Sequence, residues 1–141
     1  MAEYTSTLSG FQKAMLWSLT GPATEESVQA YADATCAPGF YQIMNGNRIE
    51  LDDWKKGIAE WRGKTSDYKA EVQQFLRDGD QLAARMTGSI KVNDMDMAFE
   101  SSIFAKVDEN GKMEWLIERA VWGPVGEAPT YGEGLKGETM Q

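Results

Sequence analysis

Three strand-like runs between residues 81 and 122 constrain the fold more than any other part of the sequence. The first run alternates between an apolar and a mostly polar parity, and its apolar members are Leu82, Ala84, Met86, Gly88 and Ile90. Turn sequences at Asn93-Asp94 and at residues 108–111 separate the runs, and both favour hairpins. A period of two places one side of each strand in the core. The stretch therefore predicts an antiparallel meander with one buried face.

The second and third runs place polar groups among apolar side chains. One parity of the second run, which we expect to face inward, contains Met97, Phe99, Ser101, Ile103 and Ala105. The third run alternates Leu116, Glu118, Ala120 and Trp122 with Trp115, Ile117, Arg119 and Val121. Whichever parity faces inward, a charged side chain falls on an otherwise apolar strand face. The third run of the meander is therefore the segment in which the sequence points to function.

Helical periodicity marks three segments in the first half of the chain. The apolar spacing from Ser6 to Thr20 indicates a first helix. Thr24 is the expected N-cap of a second helix over Glu25 to Thr35. A third helix is expected to follow a cap at Asp52 or Asp53. It carries an aromatic stripe of Trp54, Ile58 and Trp61, whose simplest interpretation is packing against a sheet.

The remaining elements are a short hairpin and one long strand. A strand over Phe40 to Met44 turns at Asn45-Gly46 into a second strand over Arg48 to Leu51. A longer strand over Tyr68 to Arg77 leads into the meander through the turn at residues 78–80. Helices grouped before a meander predict an α+β domain in which one sheet wraps over the helices.

Composition narrows the classes of function. The 141 residues suit one domain, which we expect over residues 1–125, followed by a Gly-rich and flexible tail over 126–141. A net charge of -8 disfavours binding to nucleic acid and anionic membranes. The chain has no histidine and only Cys36, so we expect neither a metal site nor another cofactor. No signal or membrane-spanning pattern is present, which predicts a cytoplasmic protein.

The order of elements resembles the SnoaL-like and nuclear-transport-factor-2-like (NTF2-like) superfamily. The likeness is carried by Tyr31-Ala32-Asp33, the segment 40–46, the helix 54–62 and the turn 107–113. It implies a cone-shaped α+β fold, a cystatin-like α+β barrel in which three N-terminal helices pack in a curved, mostly antiparallel sheet around a deep pocket. The chain is most similar to SnoaL-like cyclases and isomerases of natural-product biosynthesis. The resemblance therefore implies a cofactor-independent isomerase or cyclase, with a lyase as a related alternative.

The sequence departs from several enzymes of that superfamily. Scytalone dehydratases rely on histidine, which this chain lacks. Ketosteroid isomerases place a carboxylate base near the end of the first strand, where this chain has Gln42, Ile43 and Met44, and a neutral acid where it has Ile103. The aspartate pair bridged by arginine in limonene epoxide hydrolases is not recognisable on inner-face positions. These departures argue against all three reactions.

The resemblance implies that one parity of the last strand faces the pocket, namely Leu116, Glu118, Ala120 and Trp122. Glu118 is then the ionisable group of an apolar lining, where burial raises the pKa of a carboxyl group toward neutrality and suits it to proton transfer. Alternatively, Glu118 faces outward or pairs with Arg85 or Arg119. We predict that Glu118, Tyr68 and Arg48 are catalytic, the last two acting on a substrate oxygen, although an exposed turn arginine is the simpler interpretation of Arg48.

The predicted substrate-binding residues combine hydrogen-bonding groups with apolar walls. They are Trp17, Tyr31, Gln42, Met44, Trp54, Met86, Phe99, Ser101 and Trp122. Tyr31 and Gln42 would contact a substrate oxygen, whereas a small residue such as Ser101 also serves simply to fill space. Methionine and tryptophan suit a flat hydrophobic ligand, and they equally suit a packed core. We therefore expect a hydrophobic, polycyclic natural-product intermediate as the substrate.

A non-catalytic small-molecule carrier or a dimerising interaction module is the competing interpretation. It is favoured by the missing family acids and by apolar residues on the opposite parities, namely Phe104, Trp115, Ile117 and Val121. We expect a homodimer under either interpretation.

Overall fold

A computed structural model of the chain describes residues 2–125. Its elements are α1 (Leu8–Ser18), α2 (Glu25–Thr35), β1 (Cys36–Met44), β2 (Asn47–Glu50), α3 (Leu51–Lys64), β3 (Thr65–Asp78), β4 (Gln81–Val92), β5 (Met95–Val107) and β6 (Met113–Pro124). The strands form one curved, open sheet in the order β2-β1-β6-β5-β4-β3. Only the β1–β6 pair among these described strands is parallel. The predicted α+β cone fold is confirmed.

Side-chain caps define where the first two helices begin. The Thr7 side chain accepts a hydrogen bond from the Gly10 backbone N–H, so α1 begins later than the predicted Ser6. Thr24 caps α2 through the Ser27 backbone N–H, as predicted. The predicted cap of α3 is wrong, because this helix begins at Leu51 with Glu50 as its N-cap. Asp52 and Asp53 lie in its first turn instead, where their negative charges interact favourably with the positive end of the helix dipole.

Two strands are longer than predicted because each continues directly from a helix. Cys36 and Thr65 are already extended, with φ of -116° and -123°, so β1 and β3 begin at the C-caps of α2 and α3. β1 absorbs Pro38-Gly39 through an irregular register with β6. No loop therefore connects α2 to β1 or α3 to β3.

The predicted two-residue turns close two of the hairpins. Asn45 and Gly46 have φ of 48° and 87°, and Asn93 and Asp94 have φ of 47° and 70°. Two consecutive positive φ values are the signature of the type I′ turn, whose twist matches that of paired strands. Both turns lie at the rim of the cavity described below, because Asn45 and Asn93 are among its lining residues.

The meander presents its apolar parity to the core, as the alternation predicted. Leu82, Ala84, Met86 and Ile90 of β4 are buried, as are Phe99, Ser101, Ile103 and Ala105 of β5. α1 packs on β3, where the Phe11 and Phe75 ring centroids are 5.7 Å apart. No helix within residues 2–125 has the length and apolar character to cross a membrane. The predicted flexible tail, 126–141, lies outside the described residues.

Gly88 allows β3, β4 and the Phe99 ring to pack closely. A Cβ atom at this position would lie 2.0 Å from the Lys69 backbone oxygen and 2.7 Å from the Phe99 ring. We expect Gly88→Ala to lower the free energy of unfolding by about 2 kcal/mol, because the well-packed backbone must move. Gly57→Ala is the control, since its Cβ would meet no atom within 4 Å. Equal denaturant midpoints for the two variants would contradict this account.

Candidate active site

A cavity of about 760 Å³ lies between the helices and the sheet. This volume is in the range of pockets that hold drug-sized ligands. Its apolar wall is mainly aromatic rings and methionines: Tyr31, Trp54, Trp61, Tyr68, Phe99, Trp122, Met15, Met44, Met86, Met95, Met97 and Met113. The chain therefore encloses room for a hydrophobic ligand instead of filling the cone with its own side chains.

Glu118 lines this cavity, and each strand beside it supplies one hydrogen-bond donor. The Gln42 Nε2 atom, on β1, donates to Glu118 Oε1 at 2.9 Å. The Ser101 hydroxyl, on β5, donates to Glu118 Oε2 at 2.5 Å. This arrangement follows from the sheet order, because β6 lies between a parallel and an antiparallel neighbour. Both carboxylate oxygens are thereby held in place.

Burial and hydrogen bonding act in opposite directions on the pKa of Glu118. Burial raises the pKa of the Glu118 carboxyl, and the hydrogen bonds from Ser101 and Gln42 offset part of that rise. Neither alternative cation pairs with it: Arg85 pairs with Glu100 at 2.6 Å, and Arg119 is exposed. Glu118 thus has the environment of a proton donor or acceptor rather than of a structural ion pair.

Tyr68 lies in the cavity wall close to this acid. Its ring stacks on Phe99, with centroids 6.1 Å apart. Burial raises the pKa of the Tyr68 hydroxyl, the nearby Glu118 charge raises it further, and a hydrogen bond with the Ser18 side chain opposes the rise. Tyr68 is therefore a neutral hydrogen-bond donor at physiological pH.

Tyr31 and Trp17 form an aromatic group at the helical side of the cavity. Tyr31 is 1% exposed, and its ring packs edge-to-face on Trp17 at 5.1 Å and stacks on Trp54 at 5.8 Å. Tyr31 and Trp54 line the cavity, but Trp17 does not. The structure therefore places the Trp17 ring, predicted to contact substrate, outside the lining, where it packs on Tyr31.

Arg48 is not a lining residue of the cavity, so the structure does not bring this predicted catalytic residue together with Glu118 and Tyr68. The next residue of β2, Ile49, lines the cavity, and the alternation of the strand turns Arg48 to the other face. There the Arg48 guanidinium pairs with Glu50 and lies 3.7 Å over the Tyr41 ring. The alternative of an exposed turn arginine describes this residue.

Ser101, which was also predicted to contact substrate, lies outside the cavity lining. It is fully buried, and its hydroxyl is occupied by Glu118. Ser101 is thus a positioning residue for the acid. The other predicted binding residues do line the cavity: Tyr31, Gln42, Met44, Trp54, Met86, Phe99 and Trp122.

Trp61 and Asn45 are among the contributions to this site that sequence reasoning missed. The helical spacing of Trp61 indicates packing only, yet this residue lines the cavity and stacks on Trp122 at 5.8 Å. The sequence presents Asn45 only as a turn residue. Its backbone N–H donates to the Glu118 carbonyl at 2.9 Å, and its side chain both accepts from and donates to the Ala120 backbone. Asn45 therefore fixes the backbone around Glu118, and its strongest sequence signal is the Asn-Gly turn.

We predict that Ser101→Ala raises the pKa of Glu118 further, because the lost hydroxyl favours the charged carboxylate. Carboxyl chemical shifts followed by NMR across a pH titration measure this directly. Ser102→Ala is the matched control, since its neighbouring hydroxyl is exposed on the opposite face. A Glu118 titration that is identical in both variants would remove Ser101 from its positioning role.

No group of three or more His, Cys, Asp or Glu residues within residues 2–125 is arranged to hold a metal ion. The polar groups of the cavity are instead the Glu118 carboxyl, with neutral hydroxyl and amide groups around it, and the exposed Asp53 carboxyl. Such a set is suited to moving protons and to hydrogen bonding with a ligand.

Comparison with solved structures finds the same fold in several proteins. An NTF2-like protein of unknown function from Exiguobacterium sp. 255-15 is 18% identical, with a TM-score of 0.62 over 80% of this chain and 96% of that chain. The pinacolase BvnE from Penicillium brevicompactum is 6% identical, with a TM-score of 0.65 over 80% and 81%. A candidate SnoaL-like polyketide cyclase from Mesorhizobium loti is 13% identical, with a TM-score of 0.56 over 80% and 98%.

The sequence itself matches no protein-family model, and a search of curated proteins returns no significant match. The structural similarities, at these identities, show the fold alone. The chain has the NTF2-like fold that its sequence resemblance predicted, and several proteins that share this fold are described as cyclases or isomerase-like.

Proposed function

We propose that the chain is a cofactor-independent isomerase or cyclase that uses Glu118 for general acid–base catalysis on a hydrophobic polycyclic natural-product intermediate. The observation that carries this proposal is the Glu118 carboxyl, held by the neutral donors Gln42 and Ser101 on the wall of an otherwise apolar cavity. The pinacolase and the candidate polyketide cyclase of the same fold support the reaction class by analogy only.

The proposed chemistry is transfer of one proton between two positions of the substrate. The Glu118 carboxylate takes a proton from carbon next to a carbonyl, and the electron pair moves onto the carbonyl oxygen. A hydrogen bond from Tyr68 stabilises that oxygen while its charge develops. The protonated acid then returns the proton at another atom, so the enzyme ends unchanged. Gln42 keeps the carboxylate oriented during both steps.

Deuterium exchange into surrogate ketones tests the proposal directly. The protein is incubated in D₂O with a panel of enolisable polycyclic ketones, and mass spectrometry measures deuterium gain. We expect protein-dependent incorporation with at least one ketone that fits the cavity. Binding of such ketones with no incorporation above the buffer rate would instead support the small-molecule carrier.

A specific surface feature favours self-association as a second property. Phe104 of β5 and Val121 of β6 are 57% and 48% exposed on the outer face of the sheet. Phe104 lies opposite Ile117 in the β5–β6 register, and Trp115 lies two residues before Ile117 on the same face, so these three residues form one outer apolar patch. We propose that a second copy of the chain covers this patch, which leaves both cavities accessible on the inner faces.

Phe104→Glu should convert the dimer to a monomer, because a two-fold interface would bring both introduced charges together. Sedimentation velocity measures the change. Circular dichroism serves as the folding control, since the exposed Phe104 contributes little to the core. A native chain that sediments as a monomer at its highest soluble concentration would contradict the proposal.

A further inference from the structure

Within residues 2–125, the residues that line the cavity include two carboxylates and no lysine or arginine. Glu118 lies inside, and Asp53, at the start of α3, is exposed at the entrance. The whole chain carries a net charge of -8. A ligand with a carboxylate or phosphate would therefore enter against a negative potential and find no cation to pair with.

Glu118 is also a charge without a counter-ion among the described residues. Its two hydrogen bonds come from a neutral amide and a neutral hydroxyl, and none of the ion pairs within this part of the chain includes it. Buried charges in proteins are normally paired. The missing partner of this carboxylate can thus be supplied by a ligand.

An aromatic wall that begins at Tyr68, close to Glu118, provides a second feature that favours a positive charge. A continuous series of rings runs from Tyr68 to Phe99, Trp122 and Trp61, with successive centroids 6.1, 5.0 and 5.8 Å apart. Aromatic rings, tryptophan above all, attract cations through their negative faces. Lys64 already lies 4.7 Å from the Trp61 ring, but it pairs with Glu60 and is not a lining residue.

From these features we propose that the cavity selects a hydrophobic amine, bound as an ammonium ion against the Glu118 carboxylate close to Tyr68, with its hydrocarbon part along the Phe99 and Trp122 rings. The inference deepens the proposed function and rests on it, because the polycyclic substrate would then carry a basic nitrogen. It also explains why an apolar cavity contains an acid without a cation from the described chain. Neutral hydrophobic compounds would enter but bind more weakly, and anionic ones would be excluded.

A matched series of naphthalene probes tests the preference by isothermal titration calorimetry. The series carries an aminomethyl, a hydroxymethyl or a carboxylate group on the same ring. With the native protein we expect the amine to bind at least about tenfold more tightly than the alcohol, the ratio that corresponds to one charge-assisted contact. The carboxylate should bind more weakly than the alcohol.

Variants assign the preference to a residue. Glu118→Gln keeps the shape of the side chain and should bring the amine and the alcohol to equal affinity. Glu114→Gln should keep the native ratio, because Glu114 pairs with Lys106 and is not a lining residue of the cavity. Equal binding of amine and alcohol to the native protein would overturn the inference. So would a preference that survives in Glu118→Gln or is lost in Glu114→Gln.

The two proposals fail separately. Glu118-dependent deuterium exchange together with equal amine and alcohol binding would overturn the ammonium preference and leave proton transfer standing. An amine preference without exchange on any ketone or amino ketone would uphold the ammonium site and count against catalysis.

Discussion

Replacing Glu118 by Gln should lower deuterium exchange into a polycyclic ketone by about 10³-fold, the usual contribution of a positioned general acid or base. The amide occupies the same volume, can still accept from Gln42 and can donate to the Ser101 oxygen. The loss would therefore reflect the missing proton-transfer group, not a disturbed cavity. Glu114→Gln, on the same strand but paired with Lys106, is the control and should retain full exchange.

The same substitution should stabilise the fold at neutral pH by about 1 kcal/mol, as commonly found when a functional group is removed from an unfavourable site. The folded state holds the Glu118 proton more tightly than the unfolded chain, because burial raises the carboxyl pKa. The penalty is therefore absent below the unfolded pKa, grows as pH rises toward the folded pKa, and is complete above it.

Thermal unfolding of the native chain and of Glu118→Gln across pH measures this difference. The two melting temperatures should converge in acid and separate as pH increases. A Glu118→Gln variant that is less stable than the native chain at neutral pH would show that the carboxylate stabilises the fold.

Undiminished deuterium exchange in the Glu118→Gln variant would remove Glu118 from the mechanism.

The second large effect is expected at Arg62, on the last turn of α3. Its guanidinium is buried and donates to the carbonyl oxygens of Trp17, Ser18 and Pro22 at 2.8, 3.0 and 3.2 Å, and to the Ser27 hydroxyl at 3.1 Å. The last turn of a helix leaves carbonyls without intrahelical partners. Arg62 therefore caps α1 and joins it to α2 and α3.

We expect Arg62→Met to lower the free energy of unfolding by about 3 kcal/mol, because four acceptors lose a charged donor at once. Arg62→Lys should recover only part of this loss, since one ammonium cannot reproduce the geometry of the guanidinium. Urea unfolding followed by tryptophan fluorescence measures both variants.

Arg48→Met is the matched control for Arg62, because the Arg48 guanidinium is exposed and pairs only at the surface. Its unfolding transition should coincide with that of the native chain. If Arg62→Met also unfolds at the native urea concentration, the buried hydrogen bonds of Arg62 contribute nothing net to stability.

Elements defined by local chemistry were predictable from the sequence. α2 occupies the predicted range because Thr24 caps it through a hydrogen bond with Ser27, only three residues further along the chain. The Asn45-Gly46 and Asn93-Asp94 turns follow from the ability of Asn, Asp and Gly to adopt positive φ. Strand boundaries were less predictable, because β1 and β3 start at helix C-caps where no turn residue marks the change.

The alternating pattern by itself determined the meander and its buried parity, because a strand can bury only every second residue. It also limited the choice for β6 to a face with Glu118 or a face with Arg119. Tertiary structure alone decided between them. Insertion of β6 between β1 and β5 brings Gln42 and Ser101 to the Glu118 oxygens, and the same packing directs Arg48 away from the cavity. Contacts between residues far apart in the chain leave no local pattern, so the sequence named the acid but not its partners.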